Sequence, residues 1–148
     1  MNILTPVNDL MTTDLITVHP KDTLAKVKEH FDNNSIHHIP VVEFKKIVGI
    51  ISKTDLLYFL KGTQTIDANF ENEARLAHHQ VSDFMTTGLA TTEPSEPIRT
   101  ALEIFKENLF HALPVVQNEE LLGILTTYDL IVFFANEAVR LEDYAAQK

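Results

Sequence analysis

The chain repeats itself after 74 residues, and this repeat constrains the fold more than any other feature of the sequence. The segment VNDLMTTDLITVHP (7–20) aligns with VSDFMTTGLATTEP (81–94). Between 7–56 and 81–130 no gap is needed, and 19 of the 50 paired positions are identical. Units of about 50 residues bury too little surface to be stable alone. We therefore expect the two units to share one core.

Composition excludes several classes of site. The 148 residues are 45% hydrophobic and 22% charged, an ordinary globular mix, and they include no cysteine. Disulfides, thiolate metal ligands and cysteine nucleophiles are therefore excluded. The net charge of −9 argues against a nucleic-acid polymer as partner, because such partners need a basic patch. A small anionic ligand needs only a local cluster of cations.

The sequence contains no segment typical of a signal peptide or a membrane span. It begins MNILTPVNDLM, without a basic region followed by a long apolar one. The longest apolar run, LIVFFA (130–135), is far too short to cross a bilayer. We therefore expect a soluble cytoplasmic protein with no membrane partner.

Each unit predicts the element order β-α-β-β-α, so the expected fold class is α+β with two tandem repeats. LITV and LATT indicate short extended segments, which end at Pro20 and Pro94. Apolar residues at helical spacing follow, at Leu24, Val27 and Phe31 in the first unit. The runs IPVV and IVGII are short and β-branched, as in buried strands. A second helix closes each unit.

Two further signals concern helix ends and the linker. Thr23 or Asp22 can cap the first helix, since both side chains accept hydrogen bonds from backbone amides. The stretch between the units, 62–78, is predicted to be a linker whose later part is helical.

The turns GIISKTD (49–55) and GILTTYD (123–129) share one layout, in which a strand ends and a helix begins. Free backbone amides and the positive end of the helix dipole suit a phosphate there. An aspartate one turn into the helix can accept two hydrogen bonds from a vicinal diol, such as that of a ribose. Gly49 and Gly123 leave room for a close backbone approach.

A structural explanation of the same turns stays open. Ser-x-x-Asp is close to a capping box, in which the hydroxyl and the carboxylate satisfy amides at the helix start. Such a cap stabilises by about 1 kcal/mol and needs no ligand. One turn can also serve both purposes.

The last helix carries five consecutive apolar residues, Leu130 to Phe134. It is apolar all round, so we expect it to be buried on more than one side. One side faces its own sheet. The other is predicted to meet a second chain, with the linker of the same chain as the alternative.

These features together resemble a tandem pair of CBS domains, also called a Bateman module. Both repeats open with DLMTT or DFMTT, carry HHIPVV or HALPVV, and end in GIISKTD or GILTTYD. The resemblance implies repeats at 5–61 and 79–140, the linker between them, and a tail of the last helix at 141–148. It also implies two three-stranded sheets around a pseudo-twofold axis, two clefts for adenosine nucleotides or related adenosyl ligands, and a disc-like homodimer.

The resemblance assigns ligand-binding residues by position, and no metal, cofactor or catalytic residue. The expected ligand is AMP, ADP, ATP or another adenosyl compound, and an effector protein would respond to its binding. The first cleft would use the turn residues Ser52, Lys53 and Asp55, and the second would use Thr126, Thr127 and Asp129. The adenine would lie between backbone groups of either Ile16 and Thr17 or their counterparts Ala90 and Thr91.

Three histidines precede the strands that border these clefts: His37, His38 and His111. Family members that bind nucleotides tightly often have arginine directly before the apolar-Pro pair, where this chain has His38 and Ala112. Neutral histidine is a weaker phosphate partner than arginine. The departure argues against tight binding of a triphosphate and favours AMP, ADP, an adenosyl nucleoside, or one weak site. His37 and His111 are equally compatible with polar residues packed at a strand edge.

Two other functions compete with ligand sensing. In an interaction module the turns are plain caps, the clefts are empty and the apolar last helix is the functional surface. An enzyme is not expected, because neither a His-Glu-x-x-His motif nor a Gly-x-Ser-x-Gly motif occurs. The adjacent pair His78 and His79 is only a weak indication of metal binding.

Overall fold

A computed structural model describes residues 2–61, 68–108 and 110–136. The helices are α1 (Leu24–Asn33), α2 (Lys53–Lys61), α3 (Ala68–His78), α4 (Ile98–Asn108) and α5 (Thr127–Asn136). The strands are β1 (His38–Glu43), β2 (Lys46–Ser52), β3 (Ala112–Gln117) and β4 (Glu120–Thr126). The α+β class is thus confirmed. The first part of the linker (62–67) and the predicted tail (141–148) lie outside the described residues.

The strands form one four-stranded antiparallel sheet in the order β1-β2-β4-β3. Each repeat contributes a hairpin, and the two hairpins meet at the single pair Lys46 and Glu120. The Lys46 ammonium lies 2.6 Å from a carboxylate oxygen of Glu119, and the Leu121 amide donates to the Lys45 carbonyl at 3.0 Å. The expectation of two separate three-stranded sheets was therefore wrong, because the four strands form one sheet.

The predicted first strands are reduced to isolated bridges because each leading segment crosses from one repeat to the other. Thr12 exchanges two backbone hydrogen bonds with Ile124 of β4, and six residues later Val18 lies beside Val41 of β1. The second leading segment crosses in the other direction: Thr86 lies beside Ile50 of the first repeat, and Thr92 lies beside Val115 of the second. A segment that must span both hairpins pairs only at its two ends.

Two apolar cores result, each built from both repeats, where the sequence led us to expect one. The first core combines α1, β1 and α2 with Val81, Phe84 and Met85 from the second leading segment. The second core combines α4, β3, β4 and α5 with Val7, Leu10 and Met11 from the first leading segment. Neither repeat buries its apolar surface without the other.

The two strand glycines are required by this exchange. A Cβ atom on Gly49 would lie 2.6 Å from the Met85 sulfur and 3.0 Å from the Thr86 carbonyl oxygen. On Gly123 it would lie 2.7 Å from the Met11 sulfur and 2.9 Å from the Thr12 carbonyl oxygen. The close approach predicted at both glycines is therefore made by the opposite repeat's own backbone.

Local signals at helices are confirmed. Thr23 accepts the Lys26 amide at 3.4 Å and so caps α1, whose Leu24, Val27 and Phe31 are buried. The linker contains α3, as predicted.

The hairpin turns place two consecutive residues in the left-handed region. In the second repeat these are Asn118 and Glu119, at φ 51° and 67°. In the first they are Phe44 and Lys45, at φ 50° and 65°. Asparagine tolerates this conformation, whereas a bulky residue rarely adopts it. Phe44 is also 90% exposed, so no burial offsets its strain.

The outer faces of α2 and α5 are apolar and exposed. On α5, Tyr128 is 69% and Ile131 62% exposed, and on α2 Tyr58 is 71% exposed. Leu130 alone of α5 is fully buried, so the expected burial on several sides is not met within the described part of this chain. None of the described helices has the length and apolar character needed to cross a membrane.

Candidate functional site

The first candidate site is the turn between β2 and α2, which is held by a reciprocal cap. One carboxylate oxygen of Asp55, Oδ2, accepts the Ser52 amide at 2.8 Å and the Ser52 hydroxyl at 2.6 Å. The Ser52 hydroxyl in turn accepts the Asp55 amide at 3.1 Å. These bonds fix the carboxylate at the helix start, where the dipole favours negative charge. The other oxygen, Oδ1, takes no part in the cap.

The turn between β4 and α5 reproduces this geometry. Asp129 Oδ2 accepts the Thr126 amide and hydroxyl, both at 2.7 Å, and the Asp129 amide donates to the Thr126 hydroxyl at 3.3 Å. The capping alternative is therefore realised in both repeats. Each half-buried aspartate keeps acceptor capacity beyond its cap, because an ionised carboxylate has about four acceptor positions.

Several backbone amides at these turns are already engaged, so fewer amides are free for a phosphate than the sequence suggested. In the first turn the amides of Ser52 and Asp55 serve the cap, and the Lys53 amide donates to the His37 carbonyl at 2.8 Å. In the second turn the Thr127 amide donates to the His111 carbonyl at 3.1 Å. An anion at either turn therefore depends more on side chains and on the helix dipole than we expected.

The structure brings four predicted residues of the first repeat together. His38 lies opposite Ser52 in the β1–β2 pairing, so their side chains share one face of the sheet. Lys53 follows Ser52 directly and is half-buried, as is His38. Burial of the imidazole, with the nearby His111 and His37, lowers the pKa of His38 below its ordinary value of 6.5, and Asp55 opposes this shift.

The second repeat has the same backbone hydrogen bonds and fewer basic side chains around them. Ala112 lies opposite Thr126, where the first repeat has His38 opposite Ser52. Thr127 occupies the place of Lys53. His111 is exposed and is one of the groups that lower the pKa of His38.

The crossing segments add residues that sequence reasoning missed. Thr86 exchanges backbone hydrogen bonds of 2.8 and 3.0 Å with Ile50, two residues before Ser52. Thr12 does the same with Ile124, two residues before Thr126. Each turn therefore faces the leading segment of the other repeat. The signal was the Met-Thr-Thr triplet, which is identical in both repeats (11–13 and 85–87).

The predicted adenine-bracketing residues lie further along these segments. Thr17 lines a cavity of about 450 Å³ at the hairpin end of the sheet, with Val42, Lys45 and Glu120 among its neighbours. Thr91 lines a second cavity of about 420 Å³, formed with residues of α4 and of the other hairpin end. Ile16 and Ala90 precede them and are half-buried. The structure does not place these four residues in one cavity with the capped turns.

No metal centre is evident within the described ranges, where no three histidines or carboxylates are arranged to hold an ion. His78 and His79 each use a ring nitrogen to contact the helix carbonyls of Ala74 and Arg75, at 2.6 and 2.8 Å. The His79 ring also packs edge-on against Phe59. These two histidines thus have structural partners.

A search against protein families matches the CBS domain twice, at residues 7–62 and 81–136. Among curated proteins, YhcV of Bacillus subtilis, a CBS domain-containing protein, is 27% identical over 129 residues, which are 87% of this chain and 85% of that protein. MJ1225 of Methanocaldococcus jannaschii, an uncharacterized protein, is 28% identical over 131 residues. That match covers 87% of this chain, which spans about half (47%) of MJ1225.

Solved structures have the same fold. The crystal structure of MJ1225 superposes with a TM-score of 0.75 at 26% identity, covering 88% of this chain and 48% of that one. The crystal structure of CBSX2 in complex with AMP superposes with a TM-score of 0.72 at 25% identity, covering 88% of this chain and 96% of that one. The tandem arrangement predicted from the sequence is confirmed.

Proposed function

The chain belongs to the CBS domain family, and we propose that it is a regulatory module that binds an adenosine nucleotide in clefts between its two repeats. The observation that carries the proposal is the pair of capped turns, each facing the crossing segment of the other repeat. CBSX2, a structure of the same fold, was solved with AMP. A ligand held between the repeats contacts both, so its binding changes how they pack.

The ribose is assigned to the aspartates of the two turns. In each, the cap occupies Oδ2 and orients the carboxylate, so a ribose diol would approach Oδ1 without breaking the cap. The phosphate is assigned to Lys53 and His38 in the first cleft. In the second cleft Thr127 and Ala112 supply no cation at the corresponding positions. We therefore expect AMP to prefer the first cleft.

The test is calorimetric titration of the full chain with AMP, with GMP as the base control. A ligand that binds only the folded state also stabilises it, by about 2.7 kcal/mol at a hundredfold excess over its Kd. Binding of AMP that is lost in Asp55→Ala supports the proposal. Absence of binding by AMP, ADP, ATP and S-adenosylmethionine in both calorimetry and thermal unfolding contradicts it.

A matched control separates loss of binding from loss of a cap. Thr23→Ala removes the N-cap of α1, which lies outside the proposed cleft. It should cost about 1 kcal/mol of stability, as Asp55→Ala should, and leave AMP affinity unchanged. If both variants weaken AMP binding equally, destabilisation and not ribose contact explains the effect.

The exposed apolar faces of α2 and α5 support a second function, self-association and protein interaction. Leu57 is 49% exposed on α2, and Tyr128, Ile131 and Val132 form one exposed face on α5. We propose that this surface forms the homodimer and transmits ligand binding to an effector protein. Sedimentation of Ile131→Glu, compared with the wild type, tests this proposal. If the variant is still a dimer, the dimer interface is formed by another surface.

A further inference from the structure

We infer that His38 couples nucleotide binding in the first cleft to pH, because its imidazole gains a proton when a phosphate group binds beside it. The inference rests on the proposed function and names its regulation.

The position of His38 follows from the sheet. It pairs with Ser52, and directly opposed residues in antiparallel strands have side chains roughly 5 Å apart. Ser52 begins the cap that fixes Asp55, and Lys53 is the first residue of α2. The imidazole therefore lies on the same face of the sheet as the Ser52 side chain, at the turn where the phosphate is proposed to bind.

The charged groups around His38 explain why it is uncharged without ligand. Asp55, from α2, favours the protonated form, while His37, which precedes β1, and His111 of the other repeat disfavour it. Burial is the largest influence and also disfavours the charge, so the pKa of His38 lies below 6.5. At neutral pH the free protein thus presents a neutral imidazole.

A bound phosphate reverses this balance. An anion within about 4–6 Å of a histidine favours its protonated form. The protonated imidazole then donates from both ring nitrogens, where the neutral form donates from only one. Binding therefore takes up a proton, and affinity rises as the pH falls, by at most about tenfold per pH unit. The rise ends near pH 6, because a phosphate monoester itself gains a proton there.

The second repeat confines this behaviour to the first cleft. Ala112 lies opposite Thr126, so no titratable side chain occupies the place of His38. His111 is exposed, and its carbonyl, not its ring, is tied to the second turn through the Thr127 amide.

The test is calorimetric titration of the full chain with AMP between about pH 8 and 6.5, with adenosine as the phosphate-free ligand. For the wild type we expect the Kd of AMP to fall by about three- to tenfold over this range, with net proton uptake, and that of adenosine to stay constant. His38→Gln should remove most of the slope. Titration of the phosphate itself is common to both proteins and cancels in their difference.

His38→Arg separates a charge effect from a packing effect. Arginine keeps its charge at every pH, so this variant should bind AMP at pH 8 at least as tightly as the wild type does at pH 6.5. Equal pH slopes for AMP in the wild type and His38→Gln would overturn the inference and leave the proposed function standing. Absence of AMP and adenosine binding at every pH would overturn the proposed function, and this inference with it.

Discussion

The two capped turns share their hydrogen bonds and differ in the side chains around them. Asp55 and Asp129 each accept the same two bonds, within 0.1 Å of one another between the repeats, from Ser52 and Thr126. Around the first cap lie Lys53 and His38, whereas the second repeat has threonine and alanine at those positions.

Under the proposed function, this difference separates the residues that build the turn from those that would select the ligand. The cap satisfies backbone amides, and the strand glycine avoids a clash with the crossing segment. Both are retained in both repeats. Residues 38 and 53 are proposed to contribute only side chains to the cleft, so they can vary without altering the fold. We expect the repeats to respond equally to changes of the first kind and unequally to changes of the second.

The largest expected effect concerns the strand glycines. Gly49→Ala and Gly123→Ala should each lower the free energy of unfolding by about 1–3 kcal/mol, because the new methyl group overlaps a methionine sulfur and a carbonyl oxygen of the crossing segment. Denaturant unfolding measures both.

Gly88→Asn is the matched control for those variants. Gly88 has φ +66° and nothing within 4 Å of an added Cβ, and asparagine tolerates this conformation. Its stability should stay within about 0.5 kcal/mol of the wild type. If one strand glycine tolerates alanine as well as Gly88 tolerates asparagine, the two crossing segments are not packed alike.

The caps should contribute equally. Without ligand, Asp55→Ala and Asp129→Ala should each cost about 1 kcal/mol of unfolding free energy, because each removes one reciprocal cap. Chemical denaturation of both variants checks this. Costs that differ by more than about 1 kcal/mol would show that one carboxylate has a partner beyond its cap.

The two hairpin turns, unlike the caps, should respond to substitution with stability changes of opposite sign. Phe44→Asn should raise stability by about 0.5–1 kcal/mol, because the left-handed conformation costs an ordinary residue roughly 1–2 kcal/mol and asparagine less. Asn118→Phe should lower stability by a similar amount. Thermal unfolding of both variants at several protein concentrations is the measurement. A destabilised Phe44→Asn would indicate that the exposed ring contacts a second chain.

The smallest expected effect is the pH dependence of the free protein. The pKa of His38 is lowered in the folded state, so the unfolded chain binds the proton more readily. The contribution of neutral His38 is complete above pH 6.5 and is lost as the pH falls below it. Between pH 8 and mild acid, the free energy of unfolding should therefore fall slightly less for His38→Gln than for the wild type. Identical profiles would mean that His38 is not shifted.

Some of this could be predicted because the determining interactions are local. The cap joins residues three apart, so Ser52 with Asp55 and Thr126 with Asp129 were recognisable as caps from spacing alone. The same holds for Thr23 and the apolar stripe of α1.

Other features escaped prediction because they depend on contacts that are distant in the sequence. Gly49 and Gly123 were expected to admit a ligand, but the space beside them is filled by Met85 and Met11. The amides of Lys53 and Thr127 were expected to be free, but β1 and β3 begin beside the turns, so the carbonyls of His37 and His111 accept them.

The sequence by itself determined that the protein is a tandem pair of α+β repeats of the CBS domain family with two equivalent capped turns, because a repeat and a cap are both visible along the chain. Tertiary structure alone decided that the leading segments cross between the repeats and that two mixed cores result. Crossing costs no local interaction and leaves no local pattern. It is favourable only when Val7 and Val81 are buried against the opposite repeat, and that burial exists only in the folded chain.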